Sequence, residues 1–557
     1  MHGGMILPES QDKLLDKIKD IVEQCRVSTA PRAALARSLK QWKFTGSPDG
    51  NVAILNYLSH HIDRKAGYLF SPADLRFHIE FENHYPTSTL MQGEVAARVL
   101  TREWQRRDID MQFAEGVDLA LTFGACIVKL MWSFGGVTAK LVMPWQFGVY
   151  REDLNELAEQ EAICETSYIT PFDLWRRISH LPDAEKMYQR ALHYAKKRTA
   201  HDQADTFFHQ VLLAGTTPVV QTDPPFLAQP GGLVQVTADP VGAVLSPDVA
   251  ESLIAIHEGY VIDDEIGDYV TFQLADPDIL ICPRFKRRNI FLPEATPYTL
   301  IQPNRINGYF WGRPEIADLM KLQNLLRDRL EDIKKTMSLQ YDRLLAFTGF
   351  SNMNDEAYDS FRQAGWIAND MPGAKVEDLT PQLPKEAFAE IDWIIKAMEE
   401  VSGFQNILSG RGEEGVRAAT HAQTLMRTGS PRLRDQAIIV ERQCADLADR
   451  CFELLAAKDA KAYWAPDDSE FLFSQVPEDR RVVVDSHSSS PIYEQDHMQM
   501  AALLFKGGVI DGESVLDLMP VPMRDILKER WRRMEQAKAA FIQQHPEALA
   551  KPHGGRK

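Results

Sequence analysis

Apolar residues at Leu14, Leu15, Ile18, Ile21 and Val22 recur at helical spacing, with Lys and Asp on the other face, and predict a helix over residues 10–43. A second helical stretch covers residues 51–70. Residues 76–82, RFHIEFE, alternate apolar and polar and predict a strand. One long helix is expected over residues 90–121, stopping at Phe123-Gly124, where glycine ends the helix. Residues 126–132 and 137–142 predict a hairpin across Gly135-Gly136. Residues 143–152 read as an extended connection and residues 171–198 as helix. Residues 212–247, rich in Gly, Pro, Thr and Val, read as loops and short strands. Two further strands are expected over 255–262 and 269–282, split at Gly267-Asp268. The first 300 residues therefore predict a mixed α+β body.

The pattern then changes. From Glu315 to Phe347 there is no Gly or Pro, and Ile316, Leu319, Leu322, Leu326, Leu330, Ile333, Met337 and Tyr341 fall on one stripe. At 1.5 Å per residue this rod is about 50 Å long. It reads either as a long core helix or as a helix standing beside copies of itself. After an excursion at 348–384 a shorter helix is expected over Lys385–Val401, with Phe388, Ile391, Ile394, Ile395 and Met398 on one side. Gly403, Gly410, Gly412 and Gly415 mark a flexible loop. A third long helix is expected over 418–458, kinked at Gly429-Ser430-Pro431. Residues 480–486 alternate like a strand, and the chain turns helical again from 493.

Charge and motifs narrow the function. The chain has 557 residues, with 62 Lys and Arg against 79 Asp and Glu, a formal charge of −17. That argues against a protein whose main task is gripping a nucleic-acid backbone, though not against one that nucleic acid slides past. Six cysteines are too few for a disulfide scaffold, and reduced thiols in a cytosolic chain are expected. Cys444 and Cys451, seven apart, share a helix face without further zinc ligands nearby. The N-terminus does not read as a signal peptide, and no apolar run of about 18 residues predicts a membrane span. No GxxxxGK[ST], HExxH, GxSxG or strand-following GxGxxG occurs. His60, His61 and Asp63 form one small cluster, and Asp485, His487, Asp496 and His497 another. Ligand spacing alone carries little weight for metal, so no metal, cofactor or catalytic set is expected.

The order of elements resembles that of the portal (head-to-tail connector) proteins of tailed bacteriophages over most of the chain. The residues that carry the resemblance are Gly308-Tyr309-Phe310-Trp311-Gly312-Arg313-Pro314, the Gln323-bearing helix behind them, and the stretch from Val401-Ser402-Gly403-Phe404 to Gly410 before Ala418-Ala419-Thr420. The run of helix, Phe123-Gly124 and strand is also similar to that family's N-terminal body. The resemblance implies a largely helical α+β subunit. Residues 1–312 would be an α/β wing, 313–347 a first stem helix, 348–384 a small clip and 385–402 a second stem helix. Residues 403–417 would be a tunnel loop, 418–458 a kinked wing helix, 459–492 the wing's return strand and 493–557 a helical crown. It implies a ring, of twelve copies in the family, at one capsid vertex of the virion, through which double-stranded DNA is packaged and ejected. The partners implied are terminase, head-tail adaptor, major capsid and scaffolding proteins, with no membrane. No chemistry of its own is implied, because the packaging motor hydrolyses ATP elsewhere, in keeping with the missing phosphate loop.

Within that reading, Asn406, Ser409, Arg411 and Arg417 are the candidate DNA-channel residues. Residues 403–443 are locally basic, which suits transient phosphate contact and equally suits i,i+4 or intersubunit pairing. Arg327, Arg329, Lys334 and Lys335 are the candidate stem contacts, on a helix whose charges balance. Two other classes remain open on the residues: a cytosolic metal-dependent hydrolase or nuclease with a helical accessory domain, tested through His60 or His487, and a helical scaffold that never forms rings.

Overall fold

The computed structural model describes residues 11–48, 52–72, 75–133, 135–201, 253–264, 268–281, 296–341, 345–348, 375–384, 386–403, 431–458, 461–463, 470–484 and scattered positions between 501 and 536. It is an α+β fold with open, antiparallel sheets. Helices α1 (Gln11–Arg26), α2 (Thr29–Thr45) and α3 (Tyr57–Leu69) lead to strand β1 (Phe77–Phe81), then α4 (Thr87–Arg106) and α5 (Ile109–Phe123). Strands β2 (Cys126–Ser133), β3 (Gly136–Val142), β4 (Phe147–Val149) and β5 (Ala162–Ile169) follow, then α6 (Pro171–Ile178) and α7 (Ala184–His201). Next come β6 (Ile254–Asp263), β7 (Asp268–Ala275), β8 (Ile279–Leu280) and β9 (Tyr298–Ile301). The second half contains α8 (Glu315–Tyr341), β10 (Leu345–Thr348), β11 (Lys375–Asp378), α9 (Ala387–Ser402), α10 (Pro431–Ala457), β12 (Lys461–Tyr463), β13 (Glu470–Leu472) and β14 (Arg480–Val484).

A five-stranded sheet, β4-β5-β6-β7-β8, is covered on both faces. Alternation decides which residue serves which face. Ile163, Tyr260, Ile262 and Tyr269 point toward a three-stranded sheet, β3-β2-β9, and meet Ile127, Val142, Tyr298 and Leu300. Cys164, Val261, Val270 and Phe272 point the other way and receive the Leu14, Ile18, Ile21 and Cys25 stripe of α1. Helices α6 and α7 cover the far end through Leu174, Ile178 and Ala191. The largest core lies on the helical side, where α2 to α5, α8, α9 and α10 pack together with Cys126, Val128 and Leu130 of β2. Strand β14 crosses from the C-terminal half to pair antiparallel with β1, Phe77 opposite Val484.

Several sequence expectations require correction. The helix expected over 10–43 is two helices, parted at Val27-Ser28, so that α1 lies on the five-stranded sheet and α2 joins the helical core. The helix expected over 90–121 is also two, because Asp108 adopts φ 54 between α4 and α5. The stretch 171–198 breaks between Ile178 and Ala184, with Asp183 at φ 61. The extended connection 143–152 contributes β4 to the main sheet. The rod expected to reach Phe347 ends at Tyr341, shortening it to about 40 Å at the helical rise. Residues Leu345–Thr348 instead pair with Lys375–Asp378, a strand pair beyond the helix end. Of the expected kinked helix only Pro431–Ala457 lies among the described residues, as a continuous helix, and the kink site at Gly429-Ser430 lies outside them.

Candidate functional site

Helices α8 and α9 form an antiparallel hairpin whose two ends have different surroundings. Near the foot, Ile316, Leu319, Gln323, Leu326 and Ile333 of α8 and Ile394 and Met398 of α9 are buried. From Lys334 to Tyr341 every residue is exposed except half-buried Thr336. The exposed end carries large apolar side chains, Leu339, Tyr341 at 85% exposure and Phe388, and Trp393 of α9, nearer the middle of the hairpin, is 60% exposed. Strand β11 beyond it is exposed throughout.

The foot holds the densest polar cluster of the hairpin. Glu315, the first residue of α8, has no exposed side-chain surface. Its Oε1 accepts a hydrogen bond from Lys65 Nζ of α3 at 2.8 Å, and Lys65 is equally enclosed. Glu315 Oε2 accepts from Asn304 Nδ2 at 2.9 Å, Arg432 Nη2 at 3.2 Å and Gln436 Nε2 at 3.4 Å. Lys65 Nζ also donates to the carbonyl of Ser402 at 3.0 Å, and Arg432 Nη1 to the carbonyl of Val401 at 2.8 Å. Those carbonyls end α9, where a helix leaves acceptors unsatisfied and favours cations. Asp318, one turn along α8, pairs with Arg432 at 3.3 Å and with Arg313. Burial pushes the Glu315 carboxyl up, but Lys65 and Arg432 outweigh it and hold the group below its ordinary value, so it is ionised at neutral pH.

Just before the foot, left-handed Gly312 lets the chain turn into α8 and packs against Gly124, which ends α5. Gly124, at φ 96, and Gly312, at φ 65, lie backbone to backbone. A Cβ on Gly312 would stand 2.7 Å from the Gly124 carbonyl oxygen, and one on Gly124 2.9 Å from that of Trp311. Trp311 donates Nε1–H to Glu152 Oε1 at 2.7 Å, and the Arg32 guanidinium stacks on its ring at 3.6 Å. Arg32 also donates to the carbonyls of Pro144 and Phe147. A cavity of about 170 Å³ opens beside this stack, walled by Leu35, Leu39, Phe123 and Tyr309 among others.

The predicted site residues are scattered. Asn406, Ser409, Arg411 and Arg417 lie outside the described residues. Arg327 donates to Ser47 Oγ at 2.8 Å and pairs with Asp328, and Arg329 bonds Glu390 of α9 at 2.8 Å. Both therefore have partners within their own chain. Lys334 and Lys335 are exposed where the uncovered last eight residues of α8 begin. His60 is exposed, whereas His61, the next residue of α3, is turned into the core and its pKa is lowered to about 4, by burial first and then by Lys65. Asp63 lies 3.6 Å from Lys43. Among the described residues no group of three His, Cys, Asp or Glu is placed to hold a metal ion. Asp485, His487, Asp496 and His497 lie outside them. Cys444 and Cys451 are buried free thiols on the core side of α10.

Two polar sets escaped sequence reasoning, because each joins residues far apart in the chain. The Glu315 cluster is one. In the other, Thr166 Oγ1 lies 3.0 Å from His257 Nδ1, and His257 Nε2 lies 3.1 Å from Asp276 Oδ1. Thr166 and His257 are cross-strand partners and both buried, so this chain braces β5, β6 and the end of β7. Beside it Glu165 takes Lys129 at 2.7 Å, Lys140 at 2.8 Å and the Tyr298 hydroxyl at 2.9 Å, joining the two sheets. Burial opposes ionisation there, but the two lysines lower the Glu165 pKa to about 2. No helix of the described residues is long and apolar enough to cross a membrane. No protein-family model matches the chain, and no curated protein matches it either.

Proposed function

We propose that the chain is a subunit of a ring-shaped conduit of the phage-portal type, built into a capsid vertex and passed by double-stranded DNA. The observation that carries this reading is the α8–α9 hairpin. Its foot is sealed into its own subunit, while its far end displays Leu339, Tyr341 and Phe388, and Trp393 stands exposed on α9 nearer the middle. Large exposed aromatic and aliphatic side chains on a rigid element are the composition of an interface rather than of a solvated surface. Identical hairpins side by side would cover them and wall a pore. Lys334 and Lys335, exposed next to the exposed acids Glu331 and Asp332, are then set to pair with the neighbouring copy.

In this reading the strand pair β10–β11 belongs to the clip that docks terminase and later the adaptor, and residues 403–417 face the DNA. The subunit acts by shape and charge, without a catalytic step, and its acidic balance keeps a moving polyanion from adhering. Mass photometry and negative-stain imaging of the purified chain test the proposal directly. Closed rings are expected. A monomer at every salt and protein concentration tried overturns it. Deletion of residues 405–415 is expected to leave rings intact while reducing DNA packaging or retention.

A further inference from the structure

The cluster at the foot of α8 joins parts of the chain that a simple capping role does not require. Ser402 closes α9, and Arg432 sits in the first turn of α10. These two residues bracket the segment 403–431. Each reaches the same carboxylate: Ser402 through its carbonyl on Lys65, which in turn holds Glu315, and Arg432 directly. Arg432 also holds the carbonyl of Val401, so the two flanks are tied to each other as well as to α8. Gln436 repeats the tie one turn further on, donating to both Glu315 and Asn304.

We infer that Lys65, Glu315 and Arg432 form a clasp that couples the two flanks of segment 403–431 to the first turn of α8, so that neither flank moves without the helix or without loss of a bond to the enclosed Lys65–Glu315 pair. Loss of the Ser402 bond is costly because the enclosed Lys65 Nζ has no water to replace that carbonyl, and loss of the Arg432 bond removes one of the two cations on an enclosed carboxylate. An interior packed at this density answers a displacement by switching between discrete arrangements rather than by stretching. The linkage lies within one subunit and does not depend on ring formation.

Arg432 is the member to alter first, since its side chain is 38% exposed and its loss leaves the Lys65–Glu315 pair in place. Hydrogen exchange followed by mass spectrometry on the full chain carrying Arg432→Gln is the test. If the clasp couples the elements, amides of residues 398–403, 431–436 and 315–320 exchange at least tenfold faster, together, while β5, β6 and β7 keep their protection. A change confined to 431–436 would show Arg432 to be a local cap and overturn the coupling. Uniform acceleration across the chain would show a general loss of stability and overturn it too. The paired variant Lys65→Met with Glu315→Gln, which removes the buried charge pair while leaving Arg432 and Asp318, is expected to release the same three stretches. If it leaves 398–403 as protected as in the parent, the clasp is excluded.

Discussion

Lys65 Nζ lies 2.8 Å from Glu315 Oε1, with no exposed surface on either side chain. The pair joins α3 to the start of α8 across most of the α+β body's sequence. Removing one partner of such a pair strands the other without water, at a typical cost of 3–5 kcal/mol. We therefore expect Lys65→Met alone to lower the unfolding free energy by about 3 kcal/mol in urea titrations. Lys65→Met with Glu315→Gln should lose less than the sum of the two single changes, because either single change already forfeits the same Lys65–Glu315 interaction. Additivity of the two would show that the pair is not coupled.

Acid stability should show two separate windows. His61 is buried and its pKa is lowered to about 4, so between about pH 6.5 and pH 4 the unfolded chain binds the proton that the folded chain refuses. Stability is therefore lost as pH falls through that range, and His61→Gln should flatten the slope there. The Glu165 pKa is lowered to about 2 by its two lysines, so its contribution is present above about pH 4.5 and is lost below it. Glu165→Gln should reduce the lower-pH loss, to which Glu315 also contributes, without touching the upper one. Urea midpoints measured from pH 7 to pH 3 distinguish the two.

Gly312 should tolerate no side chain. Its φ of 65 lies in the left-handed region, and a Cβ would approach the Gly124 carbonyl oxygen to 2.7 Å and that of Asn304 to 2.8 Å. Gly312→Ala should cost on the order of 2 kcal/mol by thermal melting. Gly67, whose added Cβ meets nothing within 4 Å, lies inside α3 and is the matched control. Gly67→Ala should be neutral or stabilising by about 0.5–1 kcal/mol.

The exposed surface of the hairpin should matter only between subunits. Tyr341→Ser and Trp393→Ser should leave the urea midpoint of the isolated subunit unchanged within about 0.5 kcal/mol, as surface changes do. In sedimentation velocity the same variants should shift the assembly toward smaller species. Unchanged assembly in the double variant would remove this surface from the interface.

Periodicity located most helices and strands to within a few residues, because burial of one face at period 3.6 or 2 is a local property. The stripe of α8 and the strand at 480–484 were legible for that reason. The break at Asp108 was not, since no Gly or Pro marks it, whereas Pro31 in the first turn of α2 does signal the break at Val27-Ser28 although the helical spacing runs on through it. What decides them is which layer each half covers.

The candidate stem residues divide the same way. Sequence spacing placed Arg327, Arg329, Lys334 and Lys335 on one long helix, but not which of them had partners. Arg327 finds Ser47 and Arg329 finds Glu390, far along the chain, whereas Lys334 and Lys335 project from the end of α8 that the subunit leaves uncovered. The sequence by itself thus determined the order of elements, the acidic balance and the rod after Pro314, all of which follow from neighbours along the chain. Only the tertiary structure decided that Lys65, Glu315, Ser402 and Arg432 meet at one point, and that the last eight residues of the rod stay largely bare. Those outcomes depend on packing between distant segments, where enclosure from water turns ordinary charged residues into a tightly held cluster.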